Sequence, residues 1–238
     1  MTPLRQRLPL LAALLLCPLS TLAQARDISW SGLQWTVKSS AGSTVGPGPN
    51  YFSDSSDNVW VDASGALHLK ITQNAQGQWQ CAEIYSKQSL GYGSYQFTLA
   101  SDVADLDPVM VLGLFTYADS PQYFHREIDI EFARWSMADN PNNAQYVIQP
   151  PRPGNIQQWP LPTGYASSVH QFTWSASKVA YKSSAGSTTL QQWTALRREW
   201  IPPAGGERLH LNLWLHQGQA PMRGLPTEIV ISNFRYLP

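Results

Sequence analysis

An all-β fold, a jelly-roll β-sandwich of two curved antiparallel sheets with a concave cleft, is predicted by three observations. Short stretches alternate apolar and polar residues with period two along most of the chain. Turn sequences such as Asp62-Ala63-Ser64-Gly65 and Asn74-Ala75-Gln76-Gly77 separate them. No segment after the first 25 residues carries a helical period. Many short strands divided by turns must each bury one face, and two packed antiparallel sheets satisfy them all.

Residues 1–25 read as an export segment. Arg5 and Arg7 precede an apolar run over 8–16, and Ala23-Gln24-Ala25 places small residues where a signal peptidase reads. The run is too short to span a membrane, which points to a secreted or periplasmic product with one domain over 26–238. Cys17 follows Leu16 rather than a small residue, which argues against a lipid anchor. Cys81 is left without a partner, so packing rather than a disulfide framework must hold the fold. Removal of Arg5 and Arg7 leaves acids slightly in excess, which speaks against nucleic acid as a partner. Ten tryptophans and ten tyrosines exceed what one core needs, and charged residues make up only 13%. Exposed rings on a concave face stack on sugars, so a polysaccharide is the expected partner of a monomeric chain.

In chain order, residues 27–38 read as a strand or a pair of strands, and 38–44 as a turn. The same seven letters recur at 182–188 with no match around them, which suggests two similar hairpin loops rather than a repeat. Residues 46–52 form a loop by composition, with Asn50 placed to contact a ligand or to cap a turn. Residues 58–61, 67–71 and 79–85 have the spacing of an antiparallel meander. A strand over 90–99 opens with Gly91 and Gly93, and the apolar run 109–115 suits a strand covered on both faces. Residues 145–149 read as a strand, and 150–162 as a proline-rich rim loop. Residues 170–174, 178–181, 209–215 and 227–236 supply the remaining strands.

The chemistry sits in the stretch 123–133. Read as a strand, it puts Glu127, Asp129 and Glu131 on one face and Ile128, Ile130 and Phe132 on the other. Burial of the apolar face locks the register and makes the acids point together. Tyr123, Phe124 and Trp135 flank them in place of neutralising lysines. Cleaving a glycosidic bond with retention needs one carboxylate nucleophile and one carboxylic acid about 5–5.5 Å apart. Residues four apart on a flat strand lie about 13 Å apart at Cα, so the sheet must be concave toward the acids. The shorter Asp129, recessed between the glutamates, can then hydrogen-bond one of them and drive their pKa values apart. Calcium would need six to eight oxygens on flexible loops, and no Asp-rich loop or histidine pair accompanies the strand, so no metal or cofactor is expected. A Gly-x-Ser-x-Gly nucleophile elbow is absent.

Glu127-Ile128-Asp129-Ile130-Glu131-Phe132 resembles the E-x-D-x-E strand of glycoside hydrolase family 16, in the lichenase-like form with no residue inserted before the second glutamate. Asn58-Val59, Cys81-Ala82-Glu83, Gly91-Tyr92-Gly93, Phe115-Thr116-Tyr117 and Asn212-Leu213-Trp214 follow the order seen in bacterial lichenases. The resemblance implies a retaining endo-β-glycanase, most naturally a β-glucanase. Glu127 would be nucleophile, Glu131 general acid/base and Asp129 the supporting acid, with Glu83, Tyr117, Trp214 and Asn50 contacting sugar. A transglycosylase on the same glycans and a non-catalytic glycan-binding jelly roll are the alternatives. The chain departs from the family at His125 and Tyr85, where tryptophan and arginine are usual, at Ala133-Arg134-Trp135, and at Val147. His125 and Trp135 are therefore expected to shape substrate choice. Asn233 stands where the family has a calcium-binding aspartate, which counts against that ion.

Overall fold

The structure, a computed structural model, describes residues 25–238. The export segment read at 1–25 lies outside them but for Ala25. The opening segment is a pair of strands, β1 (Asp27–Trp30) and β2 (Leu33–Val37). Then come β3 (Tyr51–Phe52), β4 (Val59–Val61), β5 (Leu67–Gln73), β6 (Trp79–Ser86), β7 (Gly93–Leu99) and β8 (Met110–Tyr117). The second half holds β9 (Ile128–Ala133), β10 (Ala144–Ile148), β11 (Ile156–Trp159), β12 (Ser168–Ser175) and β13 (Lys178–Ala185). It closes with β14 (Thr188–Ala195), β15 (Arg208–Leu215) and β16 (Thr227–Leu237). Among the described residues no helix is long and apolar enough to cross a membrane.

One layer runs β11-β10-β9-β8-β15-β6-β2-β1 and the other β4-β5-β16-β7-β12-β13-β14; the two join at a corner where Thr72 of β5 pairs with Gln80 of β6. Every ladder between neighbours on these paths is antiparallel, and the short β3 lies parallel to β6. The result is the curved jelly-roll sandwich that the alternation predicts. Leu112, Leu114, Ile130, Phe132, Leu211 and Leu213 of one layer meet Leu67, Leu69, Ile71, Phe97, Phe172 and Trp174 of the other, all buried. Burying each such side chain contributes about 1.5–3 kcal/mol, which fixes the register of every strand that carries acids or rings on its outer face.

Three expectations need correction. The strand expected from Tyr123 begins only at Ile128, because Tyr123, Phe124, His125 and Arg126 all take positive φ (52°, 50°, 60° and 51°) and form a left-handed turn. The proline-rich segment contains the edge strand β11 (Ile156-Gln157-Gln158-Trp159), which is only four residues long, lacks a period-two apolar pattern and is surrounded by prolines. Residues 182–185 extend β13, and β14 follows after the two-residue turn Gly186-Ser187; its polar, glutamine-rich sequence suits an exposed edge and so lacks an apolar signal. The run 109–115 is buried on both faces, as its continuous apolar sequence predicts, and β8 opens to a cleft toward its end, through Phe115 and Tyr117.

Candidate active site

Antiparallel partners share a face, so the ladders spell out what the concave side displays. Glu131 stands level with Gln145 on one side and Gly113 on the other, and that row continues through Asn212 to Glu83. The neighbouring row runs from Asp129 through Phe115 and His210 to Tyr85. These rows floor a cleft of about 390 Å³ that Lys38, Tyr117, Glu127 and Trp214 complete. β9 meets both neighbours without a register shift, so Asp129 and Glu131 keep strict alternation. Gly113 leaves room opposite the acids: a Cβ there would lie 2.6 Å from Asn212 Oδ1. That buried oxygen has no hydrogen-bond partner among the described residues and borders the cleft.

The three acids are withdrawn from solvent to different degrees. Asp129 is buried, while Glu127 and Glu131 are half-buried against the cleft. Burial is the main reason that all three hold protons more tightly than usual. Glu131 is pushed up to about 7, against a weaker pull from the Gln145 amide, whose Nε2 donates to Oε2 at 2.7 Å. Glu127 is pushed up to about 8 by burial and then by the charge of Glu131, opposed by a hydrogen bond from Asp129. Asp129 is raised well above its ordinary value by burial and by both glutamates, while Gln149 Nε2 donates to its Oδ2 at 3.1 Å. Asp129 is thus the group that keeps a proton and offers it to Glu127.

Glu83 is buried too, yet its pKa is lowered: burial opposes its charge, and the hydrogen bond from His210 and the charge of Lys38 outweigh it. His210 Nδ1 lies 2.9 Å from Oε1, and Lys38 Nζ donates to Oε2 at 2.8 Å. His125 does not enter the cleft wall itself. Its ring stacks on Tyr117 at 4.8 Å and 6°, and its Nδ1 lies 2.9 Å from Ala118 O. Left-handed backbone costs a non-glycine residue about 1–2 kcal/mol, and four in a row persist only where the surroundings over-determine them. Thr116 Oγ1 donates to Arg126 O at 2.8 Å, Ala118 N to His125 O at 2.7 Å and Arg126 Nε to Pro203 O at 3.0 Å. Tyr123 and Phe124, by contrast, project into solvent beside Arg126 and Arg152.

Trp135 packs edge-on against Trp214 at 6.2 Å and against His216 at 5.4 Å, which extends the aromatic rim beyond the cleft. Asn50 stands apart from the cleft lining. Its Nδ2 donates to Pro47 O and Leu215 O, both at 2.8 Å, and its Oδ1 lies 3.4 Å from Cys81 Sγ. Cys81 is free and buried, and burial pushes its thiol up to about 12. Sequence reading missed Lys38, Phe115, Gln145, Gln149, His210 and Asn212. The alternation over 209–215 already puts His210 and Asn212 beside Trp214, and 145–149 does the same for the two glutamines. Lys38 offers no local signal, since β2 reaches Glu83 only through its pairing with β6.

No protein-family model and no curated protein matches the chain. Solved structures do. A β-glucanase of Bacillus licheniformis aligns over 92% of this chain and all (100%) of its own, at 20% identity and a TM-score of 0.63. A non-specific endo-β-1,3(4)-glucanase from family GH16 aligns over 85% of this chain and 83% of its own, at 12% identity and a TM-score of 0.61. A pseudo β-1,3-glucanase and immunostimulatory antigen of Mycobacterium tuberculosis aligns over 83% and 88%, at 19% identity and a TM-score of 0.61. At such identities the likeness establishes the fold, the jelly roll of β-glucanases.

Proposed function

We propose that the chain is an exported, monomeric, retaining endo-β-glycanase of the family 16 type, in the branch without a bulge in its catalytic strand, and that it hydrolyses a β-glucan. The observation that carries this reading is the buried Asp129 set between two glutamates and hydrogen-bonded to Glu127. With Glu131 protonated, its repulsion of Glu127 disappears, and the Asp129 proton stabilises the Glu127 carboxylate. Glu127 is the carboxylate of the reacting form, in which Glu131 keeps its proton. It attacks the anomeric carbon while Glu131 gives its proton to the departing glycosidic oxygen, which leaves a glycosyl ester on Glu127 and Glu131 ionised. Glu131 next takes a proton from water, whose oxygen displaces Glu127 and restores both groups.

Glu83, aimed by Lys38 and His210, accepts hydrogen bonds from sugar hydroxyls beside the reacting bond. Tyr117 with His125 at one part of the rim, and Trp214 with Trp135 at another, offer stacking surfaces, which suits an open groove and cleavage inside a polymer. Asn50 braces the 46–50 loop from behind. The mechanism needs no metal. Incubation with mixed-linkage glucan, laminarin, xyloglucan and galactan, with product analysis and anomeric configuration by NMR, is expected to give oligosaccharides with retained configuration. Glu127→Gln is expected to abolish release and Glu131→Gln to lower kcat by roughly 10²–10⁴ on unactivated substrate. Unchanged rates in both variants would refute the assignment.

A further inference from the structure

The outward face of the second layer carries a separate groove of about 780 Å³ that shares no residue with the cleft. Trp60 of β4 lies in its wall with Asp57, Lys70, Thr72 and Gln80. Leu67, Leu69 and Ile71 of β5 point into the core, so the alternate residues His68, Lys70 and Thr72, with Trp60 opposite His68, point away from it. The cleft opens on the outer face of the other layer, so the core separates the two sites.

Trp60 is a prepared platform. Its ring stacks on His68 at 4.5 Å and 11°. The imidazole is itself held from two sides, Nδ1 lying 2.8 Å from Glu228 Oε1 and Nε2 3.1 Å from Asp62 Oδ2. The indole is half-buried and takes no part in the hydrophobic core, which leaves its second face and edges to the groove. Of the polar groups around it, Asn58 Nδ2 spends its donors on Lys70 O and Thr72 Oγ1, both at 2.9 Å. The side chains of Gln80 and Asp57 make no hydrogen bond among the described residues. Lys70 is offset by Glu228 at 3.2 Å, so the charge left unpaired in the groove is the Asp57 carboxylate. A fixed indole face beside a free amide and a free carboxylate matches the apolar face and equatorial hydroxyls of a neutral pyranose, and repels an anionic one.

We propose that this groove is a second glycan-binding site, which takes a short segment of neutral β-linked polysaccharide by stacking it on Trp60. Because it faces away from the cleft, it does not extend the run of sugars bound there. It holds the protein on the polymer and raises the local concentration of chains available for cleavage. This inference rests on the glycanase reading.

The test uses full-length protein carrying Glu127→Gln, run in native gels containing mixed-linkage glucan or laminarin and sedimented with insoluble β-glucan. Adding Trp60→Ala is expected to weaken retention about tenfold. With the acids intact, Trp60→Ala is expected to slow attack on the insoluble polymer and to leave kcat/KM on a soluble short oligosaccharide unchanged. Equal retention with and without Trp60, in a protein that still cleaves glucan, overturns the second site alone. Absence of both retention and cleavage in the parent chain overturns the glycanase reading and this site with it. Should Trp60→Ala fail to fold, Gln80→Ala makes the same comparison: partial loss of retention supports the site and no loss overturns it.

Discussion

At the scale of single residues, the proton on Glu131 sets the behaviour of the site. The proposed first step needs Glu131 protonated, and its pKa stands at about 7, so kcat/KM is expected to fall as pH rises through that value. Gln145 donates to the ionised form of Glu131 and so lowers that pKa. Gln145→Ala is therefore expected to move the alkaline limb of the pH–rate profile upward, and a limb that stays or moves down would show that the donation is not what tunes the acid. Gly113→Ala sets a methyl against Asn212 Oδ1 in the row that carries Glu131. It is expected to lower kcat/KM with little loss of binding to remote sugars, read from kcat and KM separately.

Among the elements, the ladders of β12, β13 and β10 bury a chain of polar groups behind the active-site layer. Tyr146 donates to Ser183 Oγ at 2.6 Å, and the His170 ring lies 2.7 Å from Ser183 Oγ and 2.8 Å from Ser168 Oγ. Burial alone pushes His170 down to about 3 from an ordinary 6.5. The unfolded chain thus binds a proton that the folded chain refuses between those values. Stability from this group is complete above pH 6.5 and is lost progressively as pH falls toward 3. His170→Gln is expected to flatten the fall of Tm over that window, even if its Tm at pH 7 is lower. The left-handed turn before β9 makes a second case. Arg126→Ala removes the bond to Pro203 and the contact with Tyr123, so the turn loses what holds it. Its expected signature is a loss of kcat/KM through the His125–Tyr117 stack larger than its loss of Tm would explain.

For the molecule as a whole, the acid trio weighs against stability. Glu131 ionises at 4.5 ordinarily and at about 7 when folded, so the native state binds the extra proton. Stability from this group is therefore fully present below pH 4.5 and falls as pH rises through about 7. Glu131→Gln is expected to melt at higher temperature than the parent at pH 8 and to lose that advantage at pH 4; no gain at pH 8 would mean that the site relaxes to solvate the charge. Topology sets the other global property. The last strand, β16, lies between β5 and β7, so the early hairpins join the rest of their layer only through the C-terminal residues. Such non-local pairing makes folding slow and dependent on the complete chain. Deleting residues 227–238 is expected to abolish the cooperative melting transition followed by circular dichroism.

The sequence by itself determined the strand faces. Period-two alternation is a local property, and it placed Glu127, Asp129 and Glu131 together, and Trp214 on a strand whose leucines face inward, before any partner strand was known. Glu83 and Tyr117 were marked by the resemblance of their segments to glycoside hydrolase family 16. Only the tertiary structure decided which groups those faces meet, because the contacts join strands far apart in the chain: Lys38 and His210 on Glu83, Gln145 on Glu131, Gln149 on Asp129. It turned Asn50 from a possible sugar contact into a brace. It also replaced the start of the expected strand with a left-handed turn, since the tertiary hydrogen bonds at Thr116 and Pro203 override the extended preference of Tyr123 and Phe124. The pKa values lie beyond the sequence for the same reason: desolvation is the leading cause of all three raised acids, and it is a property of the packed sheets rather than of the letters between Glu127 and Glu131.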